Sequence, residues 1–371
     1  MKLPDYKGVV RSRECGRYRS EHHEGTFTIA HLLIAPDKFR STATAAEVGA
    51  ACSRAANRLG HSSEVIPLAD GGEGLLDVVS GTHEATLVEG PLGEPVLAGW
   101  RFIAEPVDSD LPTAILEMAT ASGLVLVGGA ETNDAVAATT RGTGDLILSA
   151  LDFGAKRIII GLGGSATTDG GAGMLEVVAD DPRVRDVQLL AACDVTTTFV
   201  DAARIFGPQK GADEPAVEML TNRLRLLADH YRQRFGIDVT AIPGSGAAGG
   251  LGGGLAALGA SLRSGFTLVA GLVGLDAAIA RADLIVTGEG LLDATSFTGK
   301  VIGGVLELGS DRSEVCAVVG DATEAGIELA GAMSVLSLTA RYGRERAMTE
   351  TVALIEETLM DYLSSWQSPH L

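Results

Sequence analysis

Apolar and polar residues alternate along the chain in blocks that predict strands and helices in turn. Residues 27–34 are rich in residues that favour strands, and they predict a buried strand that runs into Ala35-Pro36-Asp37. Residues 44–59 place apolar side chains three and four positions apart, which predicts a helix. Glu47 follows Thr44 by three positions, as in a capping box, and supports a helix start there.

Further blocks continue this alternation toward the carboxyl end. Short apolar runs predict strands at residues 64–68, 113–118, 157–161, 283–287 and 315–319. Helices are predicted to begin at residue 75 and to span residues 143–153. Such an alternation predicts an α/β fold with largely parallel sheets. Residues 1–26 have almost no apolar periodicity, and we expect them to be disordered or loosely attached.

Length and charge narrow the classes of protein. The 371 residues suffice for two domains, and 29 basic against 48 acidic residues give a formal net charge of −19. This balance argues against nucleic acid or an anionic membrane surface as a partner. Residues 241–262 are uncharged but contain eight glycines, so we interpret them as a loop that leads into a helix, not as a membrane span.

The cysteines bear on compartment and metal content. They stand far apart, without a C-x-x-C pair: Cys15, Cys52, Cys193 and Cys316. Neither a disulfide framework nor a structural zinc site is indicated, and a cytoplasmic location fits.

Glycine-rich segments follow several predicted strands, at residues 70–74, 161–173, 244–254 and 288–290. At the carboxyl ends of strands, glycine lets backbone N–H groups approach a phosphate, so an anionic ligand is expected. The candidate binding glycines are Gly71, Gly72, Gly163, Gly164, Gly246, Gly249 and Gly288. For any one segment, a tight turn without a ligand stays an open alternative.

Charged residues accompany these segments. The carboxylates are Asp70, Glu73, Asp169, Asp194, Glu289 and Asp293, and the nearest basic residues are Lys38, Arg40, Lys210 and Lys300. Carboxylates beside anion-binding backbone suit a magnesium ion that carries phosphate oxygens, or a hydroxyl that must lose its proton. The basic residues would offset repulsion of an anionic substrate. Solvated surface carboxylates are the alternative.

Two segments match dinucleotide-binding fingerprints. Residues 161–166 fit G-x-G-x-x-A and residues 244–249 fit G-x-G-x-x-G, so a nicotinamide-dependent dehydrogenase of a small hydroxy acid is an alternative. The polar continuation at residues 167–171 argues against it, because a Rossmann helix should already bury apolar residues there. A non-catalytic anion-binding protein is a further alternative. A Walker A loop is absent from the sequence.

In their order, the segments resemble the motifs of the bacterial type I glycerate kinases, the glycerate 2-kinases. The matching segments are 34–39 (IAPDKF), 69–74 (ADGGEG), 161–173 (GLGGSATTDGGAG), 192–195 (ACDV), 206–212 (FGPQKGA), 246–252 (GAAGGLG) and 287–290 (TGEG), with Asp293 and Gly299-Lys300. The resemblance covers roughly residues 29–360. The sequence departs from the usual pattern at Arg40-Ser41, where Lys-Gly is common, and at Arg141 and Leu291.

The resemblance implies a kinase that moves the γ-phosphoryl group of ATP to D-glycerate with Mg²⁺, usually giving 2-phosphoglycerate. It also implies two unlike α/β domains: a discontinuous flavodoxin-like domain at residues 29–74 plus 275–371, and a mixed α/β domain inserted at residues 75–274. Residues 1–28 would be a tail outside both. The hydroxyl that is phosphorylated, the nucleotide-binding loop and the oligomeric state, a homo-oligomer included, stay open.

Roles within the cleft between these domains follow as expectations. Asp194 is the first candidate for the base that accepts the hydroxyl proton, with Asp70 second. Lys38 and Lys300 are expected to neutralise the transferred group, and Asp70 with Glu73 to hold magnesium. The expected ligand-binding side chains are Ser165, Asp169, Lys210, Glu289 and Asp293.

Overall fold

The computed structural model describes residues 29–366, and its strands form two sheets. The strands are β1 (His31–Pro36), β2 (Ser62–Val65), β3 (Thr82–Glu89), β4 (Pro95–Ile103), β5 (Thr113–Glu117), β6 (Arg157–Gly161), β7 (Gln188–Ala192), β8 (Ser261–Arg263), β9 (Leu284–Leu292), β10 (Glu314–Ala322) and β11 (Ser334–Ser337). The predicted tail at residues 1–28 lies outside the described residues.

The α-helices surround these sheets. They are α1 (Ala45–Arg58), α2 (Leu75–Val78), α3 (Ala119–Ser122), α4 (Arg141–Asp152), α5 (Ala172–Val178), α6 (Ala202–Phe206), α7 (Glu214–Phe235), α8 (Ala247–Ala257), α9 (Gly265–Leu272), α10 (Leu275–Ile279), α11 (Val301–Gly309), α12 (Glu324–Ala330), α13 (Leu338–Tyr342), α14 (Arg344–Thr349) and α15 (Thr351–Ser365). Within residues 29–366, no helix combines the length and the apolar character needed to cross a membrane.

The first sheet is entirely parallel and has the strand order β11-β10-β9-β1-β2. The second sheet has the order β3-β4-β5-β6-β7-β8 and is parallel from β5 to β8. The predicted α/β fold is therefore confirmed. The antiparallel pairing of β3 with β4 and of β4 with β5 was not predicted. Most of β3 is exposed or half-buried, so its residues carry little apolar signal.

Helix α1 shows how local sequence sets an element boundary. Its capping box is complete, because the Glu47 N–H donates to Thr44 Oγ1 at 3.2 Å and the Thr44 N–H donates to Glu47 Oε2 at 2.8 Å. Each bond gives a hydrogen-bond acceptor to a backbone N–H group at the first turn, where the helix itself supplies none. The helix start predicted at Thr44 is confirmed.

The side chains of β1 alternate between the two faces of the first sheet, and one of these faces packs against the second sheet. Leu32 and Ile34 face a cluster with α1 and α15, whereas Leu33 faces the opposite side. The cluster around Leu33 also contains Ile159 of β6 and Val269 of α9. The two sheets therefore share one hydrophobic cluster. Residues 82–263 supply the second sheet and flanking residues supply the first, while domain boundaries at residues 75 and 274 stay a prediction.

The glycine-rich segment at residues 244–254 forms a kinked, buried helix. Ala248, Gly249 and Gly250 have φ values of 51°, 68° and 92°, which interrupt α8. A Cβ added to Gly249 would lie 1.9 Å from the carbonyl oxygen of Thr167. Close backbone packing thus requires glycine at this position, whatever its part in ligand binding.

We predict that Gly249→Ala destabilises the protein far more than Gly259→Ala. Both glycines have positive φ, so both alanines bear left-handed strain of about 1–2 kcal/mol. Nothing lies within 4 Å of a Cβ added to Gly259. Overpacking should make Gly249→Ala worse by a further 1–3 kcal/mol or so. Urea unfolding monitored by circular dichroism checks this, and equal losses in the two variants would contradict the packing argument.

Candidate active site

The carboxyl ends of strands from both sheets open onto one cavity of about 630 Å³. The loops after β1, β6, β7 and β9 line it. These are the strand ends at which ligands bind in open α/β sheets. The predicted site residues that line the cavity are Lys38, Asp70, Gly72, Glu73, Gly163, Gly164, Asp194, Glu289, Asp293 and Lys300.

The loop after β1 brings a carboxylate and a lysine into the cavity. The Asp37 N–H donates to the carbonyl of Gly288 at 2.8 Å, which fixes the end of β1 against β9. Lys38 Nζ donates to the carbonyl of Glu73 at 2.6 Å. Burial, together with the nearby Asp70, raises the pKa of Asp37 to about 6. Asp37 was not among the predicted site residues.

Glycines allow the loop at residues 70–74 to touch the second sheet. A Cβ added to Gly71 would lie 2.4 Å from the Cα of Gly265, and φ at Gly71 is +83°. A Cβ added to Gly163 would lie 2.9 Å from the Cα of Gly72. Only residues without a side chain permit these approaches. The loop after β2 therefore meets the loop after β6 and the start of α9 backbone to backbone.

Glu117, at the end of β5, anchors the same loop from beneath. It is 7% exposed, and its Oε1 accepts hydrogen bonds from the N–H groups of Gly74 at 3.0 Å and Leu76 at 2.9 Å. Burial raises its pKa above the ordinary value, although both N–H groups oppose this. Sequence analysis missed this residue, because nothing local marks a carboxylate that bonds to backbone 41 and 43 positions away.

Asp194 follows β7 and faces the cavity beside helix α9. Its Oδ1 accepts a hydrogen bond from the Gly265 N–H at 3.0 Å. Burial raises its pKa to about 7, the Gly265 N–H lowers it, and Asp70 raises it. Asp194 therefore exchanges its proton near neutral pH, which is the range a general base needs.

Two carboxylates, Glu289 near the carboxyl end of β9 and Asp293 directly after that strand, have pKa values shifted in opposite directions. Glu289 is 7% exposed, and within residues 29–366 its Oε1 has no hydrogen-bond partner. Burial raises the pKa of Glu289 to about 7. Asp293 accepts hydrogen bonds from the N–H and Oγ1 of Thr295 at 2.7 and 2.6 Å. These bonds hold the pKa of Asp293 below its ordinary value.

Four cationic side chains line the cavity: Lys38, Arg40, Lys300 and Arg344. None of them forms a salt bridge with any of the residues the structure describes, although many other arginines do. Lys300 nonetheless lowers the pKa of Asp37, Asp194 and Glu289. Unpaired cations in a cavity of a −19 protein suit an anionic ligand.

Other predicted site residues do not line the cavity: Gly71, Ser165, Asp169, Lys210, Gly246, Gly249 and Gly288. Lys210 is 2% exposed, and its Nζ donates to Ser165 Oγ and to the carbonyl of Thr167, both at 2.7 Å. Burial lowers the pKa of Lys210 to about 7. Asp169 accepts hydrogen bonds from Thr140, Gly171 and Gly173. These contacts hold the loop at residues 161–173 from beneath the cavity. Direct ligand contacts by the residues that do not line the cavity stay a prediction.

Sequence analysis also missed the cavity wall formed by Thr339, Arg344, Ala347 and Met348. No motif marks these residues, because only the folded chain brings α13 and α14 to the strand ends. Ser41 shows a departure that sequence did mark. It has a φ of +69°, a conformation that favours glycine, at the position where the resembled family commonly has glycine.

The fold and the cavity define a small-molecule enzyme of the α/β class, and comparison with known proteins identifies its family. Residues 32–179 and 176–367 match the Glycerate kinase family. The chain belongs to this family, and it is a kinase. The resemblance drawn from the motifs is confirmed.

Individual relatives agree with this assignment. The chain is 39% identical to glycerate 2-kinase from Escherichia coli K12 over 332 residues, which cover 79% of this chain and 86% of the relative. It is 35% identical to glycerate kinase from Halalkalibacterium halodurans over 380 residues, which cover 90% and 98%. A crystal structure from Salmonella typhimurium LT2, described as glycerate kinase 2, matches with a TM-score of 0.76 and 32% identity, covering 91% of this chain and 99% of that one.

We predict that Glu289→Gln stabilises the protein at about pH 8. Because the pKa of Glu289 is raised to about 7 in the fold, its contribution to stability is full at low pH and is lost as the pH rises through 7. The amide removes this ionisation, so the melting temperature should rise at about pH 8 and rise less at about pH 5. Thermal unfolding followed by circular dichroism measures both.

Asp293→Asn, four positions further along the chain, is the matched control. Its pKa is lowered, so its charge stabilises the fold above the ordinary pKa and the amide should lower the melting temperature at both pH values. A lower melting temperature for Glu289→Gln at about pH 8 would contradict the prediction, because it would show that the cavity cations stabilise the ionised carboxylate of Glu289.

Proposed function

We propose that the protein transfers the γ-phosphoryl group of ATP to D-glycerate and releases 2-phosphoglycerate and ADP. Its family and the names of its relatives support glycerate as the acceptor. The observation that carries the proposal is the cavity in which Lys38, Lys300, Arg40 and Arg344 lack salt-bridge partners among the described residues and face carboxylates. An anionic donor and an anionic acceptor both need that arrangement.

Charge neutralisation is the main task in phosphoryl transfer, because charge spreads over the oxygens of the transferred group. Lys38 and Lys300 both line the cavity and come from different loops, and both lie near enough to Asp37 to lower its pKa. The Lys38 ammonium donates to the carbonyl of Glu73, and the backbone N–H of Lys38 donates to Asp37 Oδ1. We assign both lysines to the transferred phosphoryl group.

The acceptor hydroxyl must lose a proton as its oxygen bonds to phosphorus. Asp194 would take that proton on its carboxylate while the bond from the γ-phosphorus to the bridging oxygen breaks, and the electron pair of that bond leaves with ADP. A pKa of about 7 leaves a substantial ionised fraction of Asp194 at neutral pH. Asp70 lies near enough to raise that pKa and is the second candidate.

The carboxylates also fit magnesium bound together with a nucleotide. Within residues 29–366, no three acidic, histidine or cysteine side chains converge as a protein-only metal site. Mg²⁺ commonly takes one or two carboxylates and completes its shell with phosphate oxygens and water. Asp70 and Glu73 line the cavity and would hold the ion. When bound, Mg²⁺ would neutralise charge on the β- and γ-phosphates.

The alternatives make different predictions in one set of assays. A coupled assay for ADP release with glycerate, tartronate and related hydroxy acids tests the kinase, and ³¹P NMR of the product distinguishes 2- from 3-phosphoglycerate. A dehydrogenase would change NADH absorbance. It is disfavoured because the helix after β6 begins at Ala172, far beyond the G-x-G-x-x-A match at residues 161–166. Ligand-dependent melting without turnover would select a non-catalytic binding protein.

We also propose a cytoplasmic location, with small molecules as the partners. Cys52, Cys193 and Cys316 form no disulfide with one another in the part of the chain that the structure describes, and two of them are buried. Reduced cysteines are usual in the cytoplasm.

We predict that Lys38→Met and Lys300→Met each lower turnover by roughly two to three orders of magnitude, the effect of losing one electrostatic stabiliser. Methionine keeps most of the side-chain length, so the fold should persist. Steady-state kinetics with circular dichroism measure both properties. Lys156→Met, an exposed lysine outside the cavity, is the control and should keep wild-type turnover. Wild-type turnover in both cavity variants would remove these lysines from the site.

We predict that Asp194→Asn abolishes most turnover but retains ATP binding. Asparagine preserves the acceptor for the Gly265 N–H and deletes the proton-accepting charge. In the wild type, turnover should fall as the pH drops through about 7, because the base becomes protonated. Asp70→Asn should instead raise the magnesium concentration needed for half-maximal activity. Full activity of Asp194→Asn would end its candidacy as the base.

A further inference from the structure

One end of the cavity has no task in the proposed chemistry. It is formed by helix α14, the preceding Thr339, and Leu291 of β9. The carboxylates assigned to the acceptor and to magnesium come from other loops, those after β2 and β7. We call the wall formed by Leu291, Arg344, Ala347 and Met348 the α14 wall.

The two arginines of helix α14, Arg344 and Arg346, lie on different faces of the helix. Arg344, Ala347 and Met348 stand at positions i, i+3 and i+4, so they share the face that lines the cavity. Arg346 does not line the cavity, pairs with Glu350 at 2.8 Å, and lies over the ring of Tyr342. Arg344 has no such carboxylate partner among the described residues. The helix thus directs its unpaired cation to the cavity.

The α14 wall also presents exposed apolar side chains to the cavity. Met348 is 51% exposed and Leu291 is 49% exposed, and both line the cavity. Half-exposed apolar side chains in a concave site gain stability when a ligand covers them. Glycerate has three carbons that all bear oxygen, so it offers no apolar surface. A nucleobase has two flat apolar faces.

The α14 wall thus combines a cation without a salt bridge to described residues with exposed apolar side chains. We propose that the α14 wall binds the nucleotide, with Met348 and Leu291 against the base and Arg344 on the phosphate chain. Side chains at i and i+4 lie about 5–6 Å apart at Cβ, a separation that a ribose can bridge. The acceptor then occupies the end with Asp70 and Asp194. This assignment rests on the proposed use of ATP.

Arg344→Met tests the assignment against Arg346→Met on the same helix. Loss of one charged contact should weaken ADP binding about 10- to 100-fold, as measured by calorimetry, and should raise the KM for ATP to a similar extent. The KM for glycerate should change less than about 2-fold. Arg346→Met should behave as the wild type in both measurements. Arg344→Lys should recover part of the affinity.

Met348→Asp and Met348→Leu test the apolar part of the wall. The aspartate should weaken ADP binding, because it places a charge against the base, and leucine should preserve it. If Arg344→Met raises only the KM for glycerate, the wall binds the acceptor carboxylate and the proposal is overturned. Equal losses in Arg344→Met and Arg346→Met would show a merely structural role and would also overturn it.

The same experiments separate this inference from the proposed function. Wild-type protein that binds no ADP and uses no ATP would refute ATP dependence, and the assignment with it. Wild-type protein that uses ATP, together with unchanged ADP binding in Arg344→Met and Met348→Asp, would refute the α14 wall alone.

Discussion

The cavity depends on one steric constraint, the contact of bare backbone between the two sheets. Gly71 lies against Gly265, and Gly72 lies against Gly163, at distances that a Cβ would prevent. A side chain at Gly71, Gly163 or Gly265 would push these segments apart and move Asp70 away from Asp194, whose pKa it raises. The glycines therefore act first through packing, and the electrostatics of the cavity follow from it.

The resulting cavity contains charged side chains that form no salt bridges with described residues. Glu289 is buried, Asp37 and Asp194 are half-buried, and all three have raised pKa values, while Lys300 and Arg344 form no salt bridge with described residues. Backbone hydrogen bonds such as Asp37 N–H to Gly288 hold the loops in place, so these charges do not collapse into ion pairs. This arrangement lowers the stability of the fold, and an anionic ligand can supply the missing partners of the cationic side chains when it binds.

The charged groups beneath the cavity play a different part. Lys210 and Asp169 belong to motif segments, yet their polar atoms bond to Ser165, Thr140 and nearby backbone. A buried lysine that donates two hydrogen bonds to a loop fixes that loop more firmly than a solvated lysine can. Support of this kind holds Gly163 and Gly164 at the cavity surface without direct exposure of the lysine.

Sequence alone determined the α/β fold, the capping box at Thr44, the family, and the strand-end loops that line the cavity, because each is written in local pattern or in contiguous motifs. It did not determine which motif residues reach the cavity, since burial of Lys210 depends on segments far apart in the chain. The roles of Asp37, Glu117 and the α14 wall likewise required the tertiary structure. Their partners and neighbours come from distant strands and helices, and the distances between them exist only after the chain has folded.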